Sequence, residues 1–254
     1  MLKAIQARLF QKYRTNKFPD APPNLPDHFQ GWPEFDNPPE NVELRQAAAA
    51  ICPVSAIDAA ANTIDVGKCI FCGKCSRVDQ SIRFGSEYRM GAMSRENLIA
   101  RGGERKLDEQ LDAGIRALCG KSLHIRQISA GGCAACELDF NVLATLAWDM
   151  GRFGIKVTAS PRHADALLIT GPVTENMRMA LQKSYDAMGD PKLVIACGAC
   201  AISGGIYQTS EKAHNGAGDL LKADLYVPGC PPHPATLLEA LVRFIGRRQK
   251  DNRA

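Results

Sequence analysis

Leu2, Ile5, Leu9 and Tyr13 recur at helical spacing while Lys3, Arg8, Lys12 and Arg14 fall mostly on other faces, so residues 1–14 predict an amphipathic helix. Such a helix can rest on a membrane surface, on a partner subunit or on its own domain, and packing against protein is the commoner use. From Phe18 to Pro39 the periodicity gives way to Pro19, Pro22, Pro23, Pro26, Pro33, Pro38 and Pro39. Each removes a backbone donor and biases its predecessor away from helix, which predicts an extended strap. Beyond residue 122 short apolar runs alternate with amphipathic ones. Strands are expected at His124–Ile128, Ile155–Ala159, Ala166–Thr170, Lys192–Ala196 and Leu225–Val227, and helices at Glu137–Met150, Glu175–Met188 and Ala235–Arg247. That alternation predicts a mostly parallel α/β sheet.

The chain therefore divides into a helix and strap (1–39), a compact cysteine-bearing unit (40–85), a charged connector (86–122) ending in a helix at Lys106–Ala117, and an α/β domain (123–254). With 254 residues, 45% hydrophobic, 23% charged and a net charge of +4, the composition is that of a soluble globular protein and excludes disorder and collagen. No stretch approaches the ~20 apolar residues of a membrane span. The N-terminus mixes apolar and basic residues instead of presenting a secretory apolar core, and it carries no serine before Asp20, unlike a transit peptide. A cytoplasmic location follows as the expectation. Basic residues recur from Arg77 to Lys106 and from Arg243 to Arg253, but acids interrupt the first region and stacking aromatics are scarce. Docking faces for partner subunits fit these better than nucleic acid does.

Ten cysteines are many for a reducing compartment, and metal or iron–sulfur ligation explains them better than a disulfide framework. Cys69, Cys72 and Cys75, in KCIFCGKCS, stand three apart, a spacing that curls a loop around a cubane and offers three thiolates to three irons. Cys52-Pro53 has the form of the remote fourth ligand. A second cluster of the two-cluster ferredoxin kind would draw on positions 42, 45, 48 and 79, which hold Val42, Arg45, Ala48 and Asp79. One cluster is therefore expected here. A structural zinc ribbon would want two CxxC pairs instead.

Cys133 and Cys136 (GGCAACELD), Cys197 and Cys200 (ACGACAISGG) and Cys230 (VPGCPPHP) lie in loops just after predicted strands. In an open parallel sheet those loops share one crevice, so ligands remote in sequence can meet there. Spacing alone does not choose between Cys197 and Cys200; Cys197 ends the apolar run LVIAC and reads equally as a small buried apolar residue, and each CxxC could also be a thioredoxin-type dithiol. Cys119, at a predicted helix end, reads as structural. His28, His124, His214 and His233 show no ligand spacing and read as structural or surface residues.

The ordered motifs GGCAACELD, RFGIKVTASPRHADALLITGPVT, KLVIACGACAISGGIY and DLYVPGCPPHPATL resemble the small subunit of energy-converting, membrane-associated [NiFe] hydrogenases of the formate hydrogenlyase type, which is homologous to the 20 kDa B subunit of respiratory complex I. The resemblance implies a flavodoxin-like parallel sheet domain and a proximal [4Fe–4S] cluster on Cys133, Cys136, Cys200 and Cys230, with Cys197 unliganded. The CxxC form favours the hydrogenase branch. Residues 1–85 resemble the ferredoxin-type subunit of the same assemblies, here fused and keeping one cluster, which implies a smaller ferredoxin-like α+β domain. Two [4Fe–4S] clusters would then relay electrons to or from the active site of a partner large subunit. Membrane subunits and an electron donor or acceptor protein complete the expected partners, at the cytoplasmic face of the inner membrane. The alternative is the equivalent subunit of a complex I-like quinone- or other acceptor-linked oxidoreductase without nickel. The eight assigned cysteines leave only Cys119 and Cys197, too few for a four-cysteine bimetallic site. Glu137, beside Cys136, is expected either to complement a helix dipole or to take up a proton when the proximal cluster is reduced.

Overall fold

The computed structural model describes residues 2–12, 14–102 and 122–246; the expected helix at Lys106–Ala117 and Cys119 lie outside them. In chain order the elements are helix α1 (Leu2–Gln11), strand β1 (Pro33–Glu34), α2 (Val42–Ala50), β2 (Ile57–Asp58), β3 (Thr63–Asp65), α3 (Lys74–Val78), β4 (Arg83–Phe84), β5 (Ile99–Ala100) and β6 (Leu123–Ser129). They continue with α4 (Ala135–Val142), β7 (Ile155–Val157), β8 (Ala166–Thr170), α5 (Glu175–Asp186), β9 (Leu193–Cys197), α6 (Ala199–Ser203), β10 (Leu225–Val227) and α7 (Pro234–Phe244).

The second half forms a five-stranded sheet in the order β7-β6-β8-β9-β10, with every neighbouring pair parallel. This is the flavodoxin-like order, whose direction of winding reverses between β6 and β8 and opens a crevice at the carboxyl ends of the strands. The central strands β8 (ALLIT) and β9 (LVIAC) are buried at every residue, the pattern of strands covered on both faces. On one face Ile125, Leu168, Ile195 and Leu225 pack against Phe140 of α4 and Leu237, Leu241 and Phe244 of α7. On the other, Leu167, Ile169, Val194 and Ala196 meet Leu181 of α5 and Ala201 and Ile202 of α6.

The helix expected at Glu137–Met150 is shorter than its apolar period suggests. After α4 the Thr145 hydroxyl donates to the Val142 carbonyl at 2.7 Å, and Asp149 turns into the left-handed region at φ 45°. Such local side-chain bonding competes with helix continuation, and a 3-10 turn at Met150–Phe153 follows instead.

The N-terminal unit packs Trp32, Phe35, Ala48, Ile64, Val66, Ile82 and Ala100 around α2 and an antiparallel sheet in the order β2-β3-β5. Residues 86–102, which sequence assigns to a connector, supply β5 to that sheet. They also join the other half, since Ala92 and Tyr226 exchange backbone hydrogen bonds of 2.9 and 2.7 Å. All eleven residues of α7 are buried, charged ones included: Arg243 Nε donates to Glu239 at 2.9 Å and its Nη2 donates to the Gly91 carbonyl at 2.6 Å. The α7 ion pair thus fastens the two halves together.

Candidate metal centres

The first four cysteines come together. Cys52, Cys69, Cys72 and Cys75 line one hollow whose other walls include Pro53, Val54, Ala56, Ile57, Ile64, Ile70 and Phe84. Phe71 lies in the left-handed region at φ 53°, which turns the chain between Cys69 and Cys72 and lets its N–H donate to Cys69 Sγ at 3.3 Å. The Ala56 N–H donates to Cys52 Sγ at the same distance. Burial pushes the Cys69 thiol far up, and the neighbouring Cys75, Cys52 and Cys72 add to it; burial likewise raises Cys75. Four thiols this close in an apolar hollow do not all ionise on their own, and a bound cationic centre is what makes thiolates stable there. The donor set therefore fits an iron–sulfur cluster.

Two of the positions expected for a second N-terminal cluster hold a buried ion pair. Arg45, at 1% exposure, donates from Nε to Asp79 Oδ2 at 2.7 Å, and its other nitrogens reach the Asn62 side-chain oxygen and Ser81 Oγ. Ala48, a third such position, is fully buried beside Phe35 and Ile64 in the same core. A polar network and packed methyl groups occupy the ground where thiolates would be required.

The second set gathers at the carboxyl ends of the parallel strands. Cys133 and Cys136 follow β6, Cys200 lies in α6 after β9, and Cys230 follows β10. Ala134, left-handed at φ 68°, starts α4 and reverses the chain between Cys133 and Cys136, as Phe71 does in the first loop. Burial pushes the Cys200 thiol up to about 12, with Cys230, Cys136 and Cys133 adding to it. Cys230 is raised by burial and then by Cys136 and Cys133. Cys200 and Cys230 thus each lie near Cys133 and Cys136 across the crevice. Among the described residues no three His, Cys, Asp or Glu side chains close on a point fit for one metal ion; a cubane asks instead for one thiolate at each of four irons.

The family described as "NADH ubiquinone oxidoreductase, 20 Kd subunit" matches residues 133–244, a span that holds all four thiols of the second set. Over 147 residues the chain is 35% identical to "Probable membrane-bound hydrogenase subunit mbhJ" of Pyrococcus furiosus, covering 58% of this chain and 88% of that protein. The chain belongs to this 20 Kd subunit family. It is 40% identical over 126 residues to formate hydrogenlyase subunit 7 of Escherichia coli (strain K12), covering 50% of this chain and 49% of that protein. It is also 42% identical over 112 residues to the NADH-quinone oxidoreductase B subunit of Phocaeicola vulgatus, covering 44% and 57%. The matched region thus spans about half the length of these last two relatives. Among solved structures, a chain of the membrane-bound sulfane sulfur reductase, an archaeal respiratory membrane complex, is 32% identical, with 54% of this chain and 81% of that chain covered and a TM-score of 0.45.

Within this family member, Cys197 has a place that spacing does not reveal. It is fully buried at the end of β9 in the core against which Cys136 packs, and the interaction between the two thiols lowers the Cys136 pKa and raises that of Cys197. Sequence leaves it open as a ligand or a small apolar residue; its closeness to the Cys136 sulfur becomes visible only when β9 is set beside α4. For a centre bound through Cys136, Cys197→Ala should leave the iron content intact and lower the midpoint potential by on the order of tens of millivolts, because a neighbouring thiol that lowers the pKa of a sulfur favours its more negative state. An EPR-monitored redox titration reads the shift.

Glu137 lies in the first turn of α4, as expected, but it is buried, and Thr170 Oγ1 at the end of β8 donates to its carboxylate at 2.6 Å. The side chain therefore ties the helix carrying Cys136 to the sheet. Between the two thiol sets lies a cavity of about 350 Å³. Ile70 and Phe71 of the first loop line it together with Cys230 and His233 of the second, while Phe29 of the strap packs edge-on against His233 at 5.3 Å. His233 serves as cap, its ring nitrogen accepting from the Ala235 N–H at 3.2 Å.

Proposed function

We propose that this chain is an electron-transfer subunit holding two [4Fe–4S] clusters, one on Cys52, Cys69, Cys72 and Cys75 and one on Cys133, Cys136, Cys200 and Cys230. When bound, such clusters store and release single electrons at potentials set by their surroundings. The observation that carries the reading is the convergence of two four-thiol sets whose loops face a common cavity. The chain's own residues supply low-polarity walls, N–H donors to sulfur and a rigid junction through α7 and Ala92. Fusing both sets into one chain fixes their separation without a subunit interface.

The partner is a large subunit that carries the active site of a membrane-associated hydrogenase, with membrane subunits and an electron donor or acceptor protein completing the assembly at the cytoplasmic face of the inner membrane. The relatives named for membrane-bound hydrogenase and formate hydrogenlyase support this, as does the Cys-x-x-Cys form at Cys133 and Cys136. The relative from NADH-quinone oxidoreductase supports the second reading, a nickel-free, quinone-linked complex. Nickel in the co-purified large subunit decides between them. Glu137 is the acid we assign to proton uptake beside the second centre, besides its tie to Thr170.

Cys52→Ala tests the first ligand set directly. Cys52 reaches the hollow from the end of α2, remote from the Cys69–Cys75 loop, and Asp79 is held by Arg45 and does not replace it. The variant should lose the first EPR signal and keep the second. Survival of both signals unchanged would remove Cys52 from the ligand set.

A further inference from the structure

Helix α1 buries nothing. Leu2, Ile5, Leu9 and Phe10 are 78%, 56%, 74% and 90% exposed, so the option that it packs on its own domain is closed. The helix ends where Lys12 turns left-handed and the Arg8 guanidinium donates to the Lys12 carbonyl at 2.8 Å. A few residues later the chain is pinned: Asn16 N–H donates to the Ala147 carbonyl, and Arg152 donates to the carbonyls of Asn16 and Phe18 at 2.9 and 2.7 Å. Phe18 is buried against Phe153. The helix is thus held out from a firm root.

Its charge is one-sided. Lys3, Arg8, Lys12, Arg14 and Lys17 precede the first acid, Asp20. At 100° per residue, Leu2, Ile5 and Leu9 form a narrow stripe with Lys3 and Arg8 on opposite sides of it and Phe10 beside Lys3. A flat anionic surface meets both flanks with the same charge, which is the arrangement of a helix lying in a membrane interface, its apolar residues under the headgroups and its long cationic side chains reaching out to the phosphates.

We propose that α1 is an in-plane anchor that seats this chain on a bilayer of anionic lipid, with Leu2, Ile5, Leu9 and Phe10 immersed and Lys3, Arg8 and Lys12 at the phosphates. The inference rests on the membrane association proposed above and names the element that makes the contact. Four apolar side chains and a few cations give a reversible, salt-sensitive attachment, which suits one contact among several in a larger assembly.

The test is co-sedimentation of the full cluster-loaded chain with phosphatidylglycerol-rich and with pure phosphatidylcholine vesicles, at low and high salt. The chain should bind the anionic vesicles at least tenfold more tightly than the neutral ones and release from them at high salt. Ile5→Glu with Leu9→Glu, and separately Lys3→Glu with Arg8→Glu, should each weaken binding at least tenfold. Because α1 is exposed, both variants should keep the parent's visible spectrum and circular dichroism, so a loss of binding is not a loss of fold. Equal binding to both vesicle types, unchanged binding by the variants, or variants that merely split a dimer of the parent chain would overturn the anchor. If the assembled complex is found in membranes while this chain ignores vesicles, the anchor fails and the membrane reading of the complex survives.

Discussion

Arg45→Met is expected to destabilise the N-terminal unit by about 3–5 kcal/mol, the range for removing one partner of a buried ion pair. The substitution leaves the Asp79 carboxylate in a site where it is 4% exposed, with only Ser81 among the described residues to bond it. The double variant Arg45→Met with Asp79→Leu should recover most of the loss, since a well-packed apolar pair often replaces a buried ion pair at little cost. Denaturant unfolding followed by visible absorbance and by circular dichroism measures both. Acid should have a related effect. Burial pushes the Asp79 carboxyl up, but Ser81 and Arg45 outweigh it and hold it below the ordinary carboxylate value of 3.8. A carboxyl lowered on folding contributes stability that is present above its unfolded pKa and lost as the pH falls through the folded one. The parent should therefore lose stability below about pH 4, and the double variant should lose less over that window.

The second large effect is expected at Gly198. This residue sits at φ +89°, and a Cβ there would stand 2.6 Å from Cys136 Sγ. Neither can shift freely: Cys136 is held in α4, and Gly198 joins β9 to α6 with its N–H donating to the Val227 carbonyl at 2.8 Å. Gly198→Ala should therefore expel or distort the second centre while sparing the first, lowering iron from about eight per chain to about four. Gly205→Ala, whose Cβ would meet Cys200 Sγ at 2.8 Å, should act in the same direction. A full iron complement and an unaltered second EPR signal in Gly198→Ala would show that the loop can yield.

Much of this architecture is legible in the pattern of residues. The apolar runs at Ala166–Thr170 and Lys192–Ala196 predict strands of a parallel sheet, and the loops after β6, β9 and β10 are expected to meet because parallel strands share one carboxyl end. The cysteine triplet and Cys52 likewise come together as their spacing suggests. What sequence hides is tertiary. No local signal says that Arg45 would be buried or that Asp79 would be its partner, since they lie on different elements, 34 positions apart. Cys197 looks like any small apolar residue in LVIAC until its strand lies beside the helix that carries Cys136. The early end of α4 depends on a Thr145 hydroxyl bonding the backbone, which an apolar period does not report. The burial of the i,i+4 pair Glu239–Arg243 likewise depends on the packing of α7 against Gly91, which no local pattern reports.

The most direct test of two clusters on one chain is metal and labile sulfide analysis of the anaerobically purified full-length protein, with EPR recorded through stepwise reduction. About eight irons and about eight sulfides per chain are expected, with two signals that appear at different potentials, the first abolished by Cys52→Ala and the second by Cys200→Ala. Stoichiometric zinc, or one cluster in fully reconstituted protein, would contradict it.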